Sequence, residues 1–191
     1  INWAEISPAF LSLDSNNAQG EYYLTDIVKW AISQGLKAQS YILENNEESF
    51  GINSKTHLAE AAKILKNRVI NRLLEDGVTI VDPETTFISP ETEIAPDVII
   101  YPCTYIEGKN IIGKDCKIGP FARLRGGVEL GEGVKIGNFV EIKNSKIKNH
   151  TNVSHLSYIG DSELGSNVNI GAGTITANYN HATKEKFRTV V

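Results

Sequence analysis

Aliphatic residues recur along the chain from Ile88 with a fixed period. They stand at Ile88, Ile94, Ile100, Ile106, Ile112, Ile118, Leu124, Leu130, Ile136 and Ile142, in unbroken steps of six. One five-residue step leads to Ile147, followed by Val153 and Ile159, and a second leads to Leu164 and Ile170. The next position is often glycine, as at Gly113, Gly119, Gly131, Gly137, Gly160, Gly165 and Gly171. A helix needs a period near 3.6 and a strand a period of 2. A sustained period of six predicts a parallel β-helix, each hexad supplying a short strand and a corner. Three hexads close a triangular coil of about 18 residues, with the aliphatic side chains stacked inside it. A small residue next to each lets the backbone turn where a Cβ would crowd the corner. One coil cannot bury its own apolar side, so several must stack.

Residues 1–84 lack this period and read as mixed α/β. Asp14-Ser15-Asn16-Asn17 is turn chemistry. Ile27, Trp30 and Ala31 share one face of a helix over about 25–34, with Gly35 as its stop. Loose alternation from Lys37 to Leu43 predicts a strand. A long helix is expected over about 56–74, with Leu58, Ala61, Ala62, Leu65, Val69, Leu73 and Leu74 in its apolar stripe. Ser54 would cap it and Gly77 would end it. Val78 to Val81 reads as a strand and Asp82-Pro83 as a turn. So few strands make a thin domain, which reads as the tail of a larger one.

Composition narrows the class. Of 191 residues 41% are hydrophobic, which is ordinary for a globular protein, and no run approaches a membrane span. Ile1 to Phe10 carries no basic start and does not read as a signal peptide. A net charge of −4 argues against a nucleic-acid arm but not against a small anionic ligand in a local basic pocket. Two cysteines, Cys103 and Cys116, form no framework and point to a reducing compartment. The absence of methionine predicts that the chain does not begin at a start codon.

Counting hexads by threes sets Arg125 and Lys143 on one edge, about 4.8 Å apart. Adjacent like charges need an anion between them. A phosphate would serve, and so would Glu107 one coil earlier on that edge. Tyr158 is expected beside Lys143. His155 falls at an outward position, which suits either an ordinary surface residue or a neutral imidazole accepting a proton near pH 7. Asn169 and Asn178 suit corner hydrogen bonds, and Asn53 read alone is a turn residue before a helix.

Several blocks resemble one family. Asn16-Asn17-Ala18-Gln19-Gly20-Glu21-Tyr22-Tyr23-Leu24-Thr25-Asp26 looks like the end of the nucleotidyltransferase domain of a bacterial bifunctional enzyme, the N-acetylglucosamine-1-phosphate uridyltransferase/glucosamine-1-phosphate acetyltransferase. The stretches 118–125, 136–143, 155–161 and 169–176 resemble its acetyltransferase domain, so the likeness covers nearly the whole chain in order. The resemblance implies a mainly β fold, a left-handed parallel β-helix preceded by a partial α/β segment and a linker helix. Residues 1–54 would be the remnant of the uridyltransferase domain, 55–84 a linker helix and strand, and 85–191 the acetyltransferase β-helix. The implied reaction moves acetyl from acetyl-CoA to the amine of glucosamine 1-phosphate, in cytoplasmic UDP-N-acetylglucosamine synthesis for cell-wall and lipopolysaccharide precursors.

The resemblance also implies roles. His155 would accept the proton of the acceptor amine, Arg125 and Lys143 would hold the sugar phosphate, and Tyr158 and Asn169 would bind the sugar. Ala172, Asn178 and Tyr179 would border acetyl-CoA, and Asn53 would help hold Mg2+ and UDP-N-acetylglucosamine. Family members form trimers with the acetyl-transfer site between neighbouring subunits. The Gly-rich nucleotide loop and the metal-binding aspartate expected upstream are absent from this chain, so uridylyl transfer is expected only of a longer parent.

The chain departs from the family's pattern in several places. Several more coils are expected between Asp82-Pro83 and Phe121-Ala122-Arg123. Gly126 stands where proline is usual, Asn180-His181 replaces Asp-Gly, and the segment from Thr183 to Arg188 is about two residues longer. Val191 falls mid-strand, before coils that complete the coenzyme site in the family. A catalytically incomplete β-helix serving as an assembly module is therefore an alternative. A second is a zinc site like that of the hexapeptide-fold carbonic anhydrases, from the five-residue spacing of His150 and His155. The third histidine such a site needs is missing between Ile106 and Asn149.

Overall fold

The computed structural model describes residues 2–191. The chain divides into two compact units, one ending at Phe50 and the other spanning Gly51–Val191.

The first unit holds helix α1 (Trp3–Ile6), a 3-10 turn at Ser7–Leu11, helix α2 (Asp26–Ser33) and a second 3-10 turn at Asn46–Ser49. The helix expected over 25–34 is α2, and Gly35 ends it in the left-handed region at φ 74°. Asn17 folds the preceding turn, its Oδ1 accepting the amides of Gln19 (3.1 Å) and Glu21 (3.3 Å). The strand expected over Lys37–Leu43 does not form, and Tyr41 and Ile42 are more than four-fifths exposed. A strand needs a neighbour for its N–H and C=O groups, and no strand lies among the described residues of this unit. Its apolar core is small, with only Ala9, Ile27 and Ala31 buried among the described hydrophobic residues.

The second unit opens with α3 (Lys55–Glu75), one residue longer at each end than the expected helix. Ser54 Oγ caps it by accepting the His57 amide at 3.1 Å, and Gly77 ends it at φ 87°. Of its apolar stripe only Val69 and Leu73, with Ile70, are buried, packing into the core of the first coils. Leu58 and Leu65 remain exposed.

The hexads then build a parallel β-helix of the left-handed hexapeptide type. The first face stacks strands Thr79–Ile80, Ile99–Ile100, Lys117–Ile118, Lys135–Asn138, Asn152–His155 and Asn169–Ile170. The second stacks Phe87–Ile88, Tyr105–Glu107, Arg123–Arg125, Glu141–Lys143 and Tyr158–Gly160. The third runs from Glu93–Ile94 through Ser162–Leu164 to Thr189–Val190. Each inner residue lies on its equivalent one coil away: Ile100 on Ile118 and Ile136, Ile106 on Leu124 and Ile142, Ile112 on Leu130 and Ile147. All nine are at most 3% exposed. Burial of each contributes about 1.5–3 kcal/mol.

Both five-residue steps fall at the corner between the second and third faces. Six residues separate Leu124 from Leu130, and Gly126 and Gly127 both turn there with positive φ. In the next two coils Asn144 (φ 44°) and Asp161 (φ 46°) make the shortened corner and bond each other, Nδ2 to Oδ1 at 2.6 Å. Gly137 shows why small residues follow the inner ones. A Cβ there would fall on the Ser154 carbonyl of the next coil.

Candidate functional site

The outer surface of the second face carries two columns of side chains. Tyr105, Arg123, Glu141 and Tyr158 are register partners in one, and Glu107, Arg125, Lys143 and Gly160 in the other. Arg125 and Lys143 are therefore neighbours one coil apart, as their spacing predicts. Glu107 does not neutralise Arg125. Both its carboxylate oxygens accept from Arg123 Nη2, at 3.0 and 3.1 Å, and that bond raises the Arg123 pKa further. Arg125 Nη1 instead donates to Glu141 Oε1 at 2.9 Å, across the diagonal. These pairs are partly exposed and contribute at most about 1 kcal/mol each. Lys143 has no ion pair among the described residues.

Tyr158 departs from expectation in the same way. Its register partner is Glu141, and Gly160 is the residue opposite Lys143. Tyr158 precedes the inner residue of its hexad, whereas Lys143 follows its own, so the two belong to different columns. The phenol crosses that gap by leaning over Gly160, where a Cβ would stand 2.5 Å from the hydroxyl. Tyr158 and Lys143 thus line one cavity of about 320 Å³.

The far wall of that cavity is the loop after Thr176, which supplies Asn178, Tyr179, His181 and Lys186, while Asp161 lies on the near side. Asn178 anchors the loop. Its Nδ2 donates to the carbonyls of Asp161 (3.2 Å) and Phe187 (3.0 Å) and to Thr189 Oγ1 (3.0 Å). Its Oδ1 is buried without a partner. Asn180 starts the turn at the tip, its Oδ1 accepting the amides of Ala182 and Thr183. The Tyr179 and His181 rings then meet edge to face, with centroids 4.7 Å apart.

His155 lies on the first face, at the end of strand Asn152–His155 and one corner away from Tyr158. Its Nδ1 is 3.1 Å from Oδ1 of Asn138, its register partner in the coil before. Asn169 pairs with Asn152, and the same register continued puts Ala172 opposite His155. Lys143, Tyr158, Asn178 and Tyr179 therefore share a cavity with Arg125 alongside Lys143, whereas His155, Asn169 and Ala172 occupy the first face. His155, Asn169 and Ala172 do not line the cavity that holds Lys143.

Asn53 precedes α3, and its backbone amide donates to His57 Nδ1 at 3.3 Å. Magnesium demands six oxygen ligands in near-octahedral geometry. Among the described residues no three of His, Cys, Asp and Glu stand together as a metal site. No third such residue stands with His150 and His155 among the described residues, and Asn53 alone does not make up a magnesium site.

Five contributors stand outside the set of expected site residues. Asn138 and Glu141 lie one coil before His155 and Tyr158, so counting coils backwards would have found them. Asp161 follows from the shortened corner. His181 and Lys186 belong to a loop without the repeat, where nothing in the spacing points to them.

Comparison with known proteins agrees with the hexapeptide fold. The bacterial transferase hexapeptide (six repeats) family matches residues 111–144. The bifunctional protein GlmU of Acetivibrio thermocellus is 40% identical over 219 aligned positions, covering 97% of this chain and 48% of that protein. The bifunctional protein GlmU of Clostridium novyi is 42% identical over 207 positions, covering 91% of this chain and 45% of its own length. That of a Geobacillus species is 41% identical, covering 92% and 46%. The first alignment is longer than the chain's 191 residues, so that relative carries extra residues inside the matched stretch. The chain spans about half the length of these relatives and, over that half, is similar to the bifunctional GlmU proteins.

Proposed function

We propose that this chain carries out acetyl transfer from acetyl-CoA to the amine of glucosamine 1-phosphate, a step in making UDP-N-acetylglucosamine for cell-wall and lipopolysaccharide precursors in the cytoplasm. The observation that carries the reading is Lys143, without an ion pair among the described residues, beside Arg125 on one side and opening into the Tyr158 cavity on the other. Such an arrangement suits a phosphate dianion, with arginine giving a planar fork and lysine a point charge.

In this reading Arg125 and Lys143 hold the phosphate while Tyr158 and Asn169 orient the sugar. The acceptor ammonium passes a proton to His155, and the freed nitrogen lone pair attacks the thioester carbonyl. The carbon–sulfur bond then breaks and coenzyme A leaves as a thiol once protonated. Asn138 facing Nδ1 supports the base role, because a proton held there leaves the Nε2 lone pair free to accept. Tyr179 and Ala172 would border acetyl-CoA, and Asn178 would act by holding the loop in place.

The separation of His155 from the Lys143 cavity favours a site completed by a second copy, in the trimer that the family likeness implies. Phe121, Phe139 and Leu156 support this. They stack along the corner between the first two faces, each more than half exposed, with the two phenyl rings 5.3 Å apart. Uridylyl transfer, Mg2+ and UDP-N-acetylglucosamine binding are assigned to a longer parent, in which residues 1–54 would close the uridyltransferase domain.

The test is acetyl-CoA-dependent thiol release with glucosamine 1-phosphate as acceptor, comparing the chain with His155→Ala and Lys143→Ala. Turnover that falls about 10²–10⁴-fold in His155→Ala, and a raised KM for the sugar phosphate in Lys143→Ala, are expected. Full activity in His155→Ala overturns the base assignment, and no turnover in the parent chain favours the assembly-module reading.

A further inference from the structure

The cavity wall formed by the loop after Thr176 carries a histidine where the family's usual pattern has Asp-Gly. His181 opens onto the same 320 Å³ cavity as Lys143 and Lys186. Among the described residues neither of its ring nitrogens has a hydrogen-bond partner, and its one ring contact is the edge-to-face meeting with Tyr179. We infer that His181 is a third cationic contact for a phosphate monoester bound in this cavity, and that it makes acceptor binding depend on pH.

The charges that face it decide the sign. Two lysines, Lys143 and Lys186, and one carboxylate, Asp161, line the cavity, and the two remaining titratable neighbours are the phenols of Tyr158 and Tyr179. Asp161 is already engaged by the Asn144 amide at 2.6 Å. With a neutral imidazole the cavity carries a net single positive charge, and a protonated one adds a second. A phosphate monoester carries about −1.5 to −2 at pH 7. It is therefore attracted more strongly by the protonated form, and an imidazolium adds an N–H donor of the strong, charge-assisted kind. Binding should tighten as the imidazole gains its proton. The Asn180 turn and the Asn178 anchor hold the loop that carries His181 at this wall.

The inference rests on the sugar-phosphate reading of the cavity, and coenzyme A offers the same chemistry through its own phosphates. The two sources are separated by titrating the whole chain calorimetrically with glucosamine 1-phosphate, with glucosamine and with coenzyme A, at pH 6.0 and 8.0. Three proteins are compared: the wild-type chain, His181→Gln and His181→Lys. Glucosamine 1-phosphate is expected to bind the wild type about 5–10-fold more tightly than His181→Gln at pH 6.0. At pH 8.0 the two should agree within about twofold. Protonation of the phosphate at pH 6.0 lowers its charge and so reduces the expected ratio without reversing its sign. His181→Lys keeps its charge across the range and should bind tightly at both values, and glucosamine should show no such dependence. A ratio that does not change with pH, or a variant that binds as the wild type does at pH 6.0, overturns the inference. An effect confined to coenzyme A overturns the assignment to the acceptor. If pH-dependent binding is found without acetyl transfer, His181 stands and the proposed reaction falls. If acetyl transfer is found with equal binding by His181→Gln, the reverse holds.

Discussion

Asn138 and His155 face each other across adjacent coils, Oδ1 to Nδ1 at 3.1 Å, as register partners on the first face. An amide oxygen at that distance accepts a hydrogen bond from a protonated Nδ1, which favours that tautomer and holds the ring's rotation. In the proposed reaction Asn138 positions His155 and touches no substrate. Asn138→Ala should lower kcat for acetyl transfer about 10-fold or more, by analogy with lost orienting partners of metal-bound histidines, while the KM for glucosamine 1-phosphate stays within about twofold. Asn138→Gln, longer by a methylene, should restore only part of the rate. A KM rise without a kcat loss would place Asn138 in substrate binding instead.

Gly126 sits at φ 52°, and its amide donates to the Glu107 carbonyl at 2.7 Å. Proline can neither adopt that angle nor donate that bond. The backbone after Arg125 therefore takes a path here that proline would prevent. Gly126→Pro should cost at least about 3 kcal/mol, read as a lowered midpoint in urea. Gly126→Ala should cost less, since it strains φ but keeps the amide. A Gly126→Pro chain of unchanged stability would mean that the corner readily adopts the other path.

The two thiols should differ sharply. Cys103 is exposed, whereas Cys116 is fully buried, with its Sγ 3.0 Å from the Gly131 carbonyl oxygen. Burial raises the Cys116 pKa to about 11, so at neutral pH almost none is thiolate. A thiol reagent at pH 7.5 should modify one cysteine per native chain and two in denaturant, and Cys103→Ser should leave none reactive in the native state.

What the sequence made legible follows the repeat. Ile106, Leu124 and Ile142 each meet the same surroundings one coil apart, so a count by threes places them, and Arg125 on Lys143 with them. Tyr158 was displaced by one phase, because residues before and after the inner position form separate columns. The pairing of Glu107 with Arg123 was hidden for a different reason. Register fixes which backbones adjoin, but long side chains choose between direct and diagonal partners. Lys37–Leu43 alternates like a strand and has none beside it. Tyr179 to Lys186 was opaque, since Asn178 and Asn180 shape that loop through hydrogen bonds that no period encodes.

Acid should weaken the third face through Glu163. Its carboxylate accepts from Lys148 Nζ at 3.0 Å, and that bond first, then the Lys148 charge, holds its pKa below the ordinary 4.5. A carboxyl whose folded pKa is depressed binds its proton less readily folded than unfolded. Its stabilising contribution is present above about pH 4.5 and is lost as pH falls through the lower folded value. Asp82 behaves alike, with Thr85 as its main partner, below the ordinary 3.8. Lys148→Met should therefore lower Tm at pH 7, and the gap to the wild type should close once the pH is below the folded pKa of Glu163. The exposed pair predicts a small gap, which 1 M salt should also shrink. A gap that persists unchanged at low pH would mean that Lys148 acts through packing of its aliphatic stem and not through Glu163.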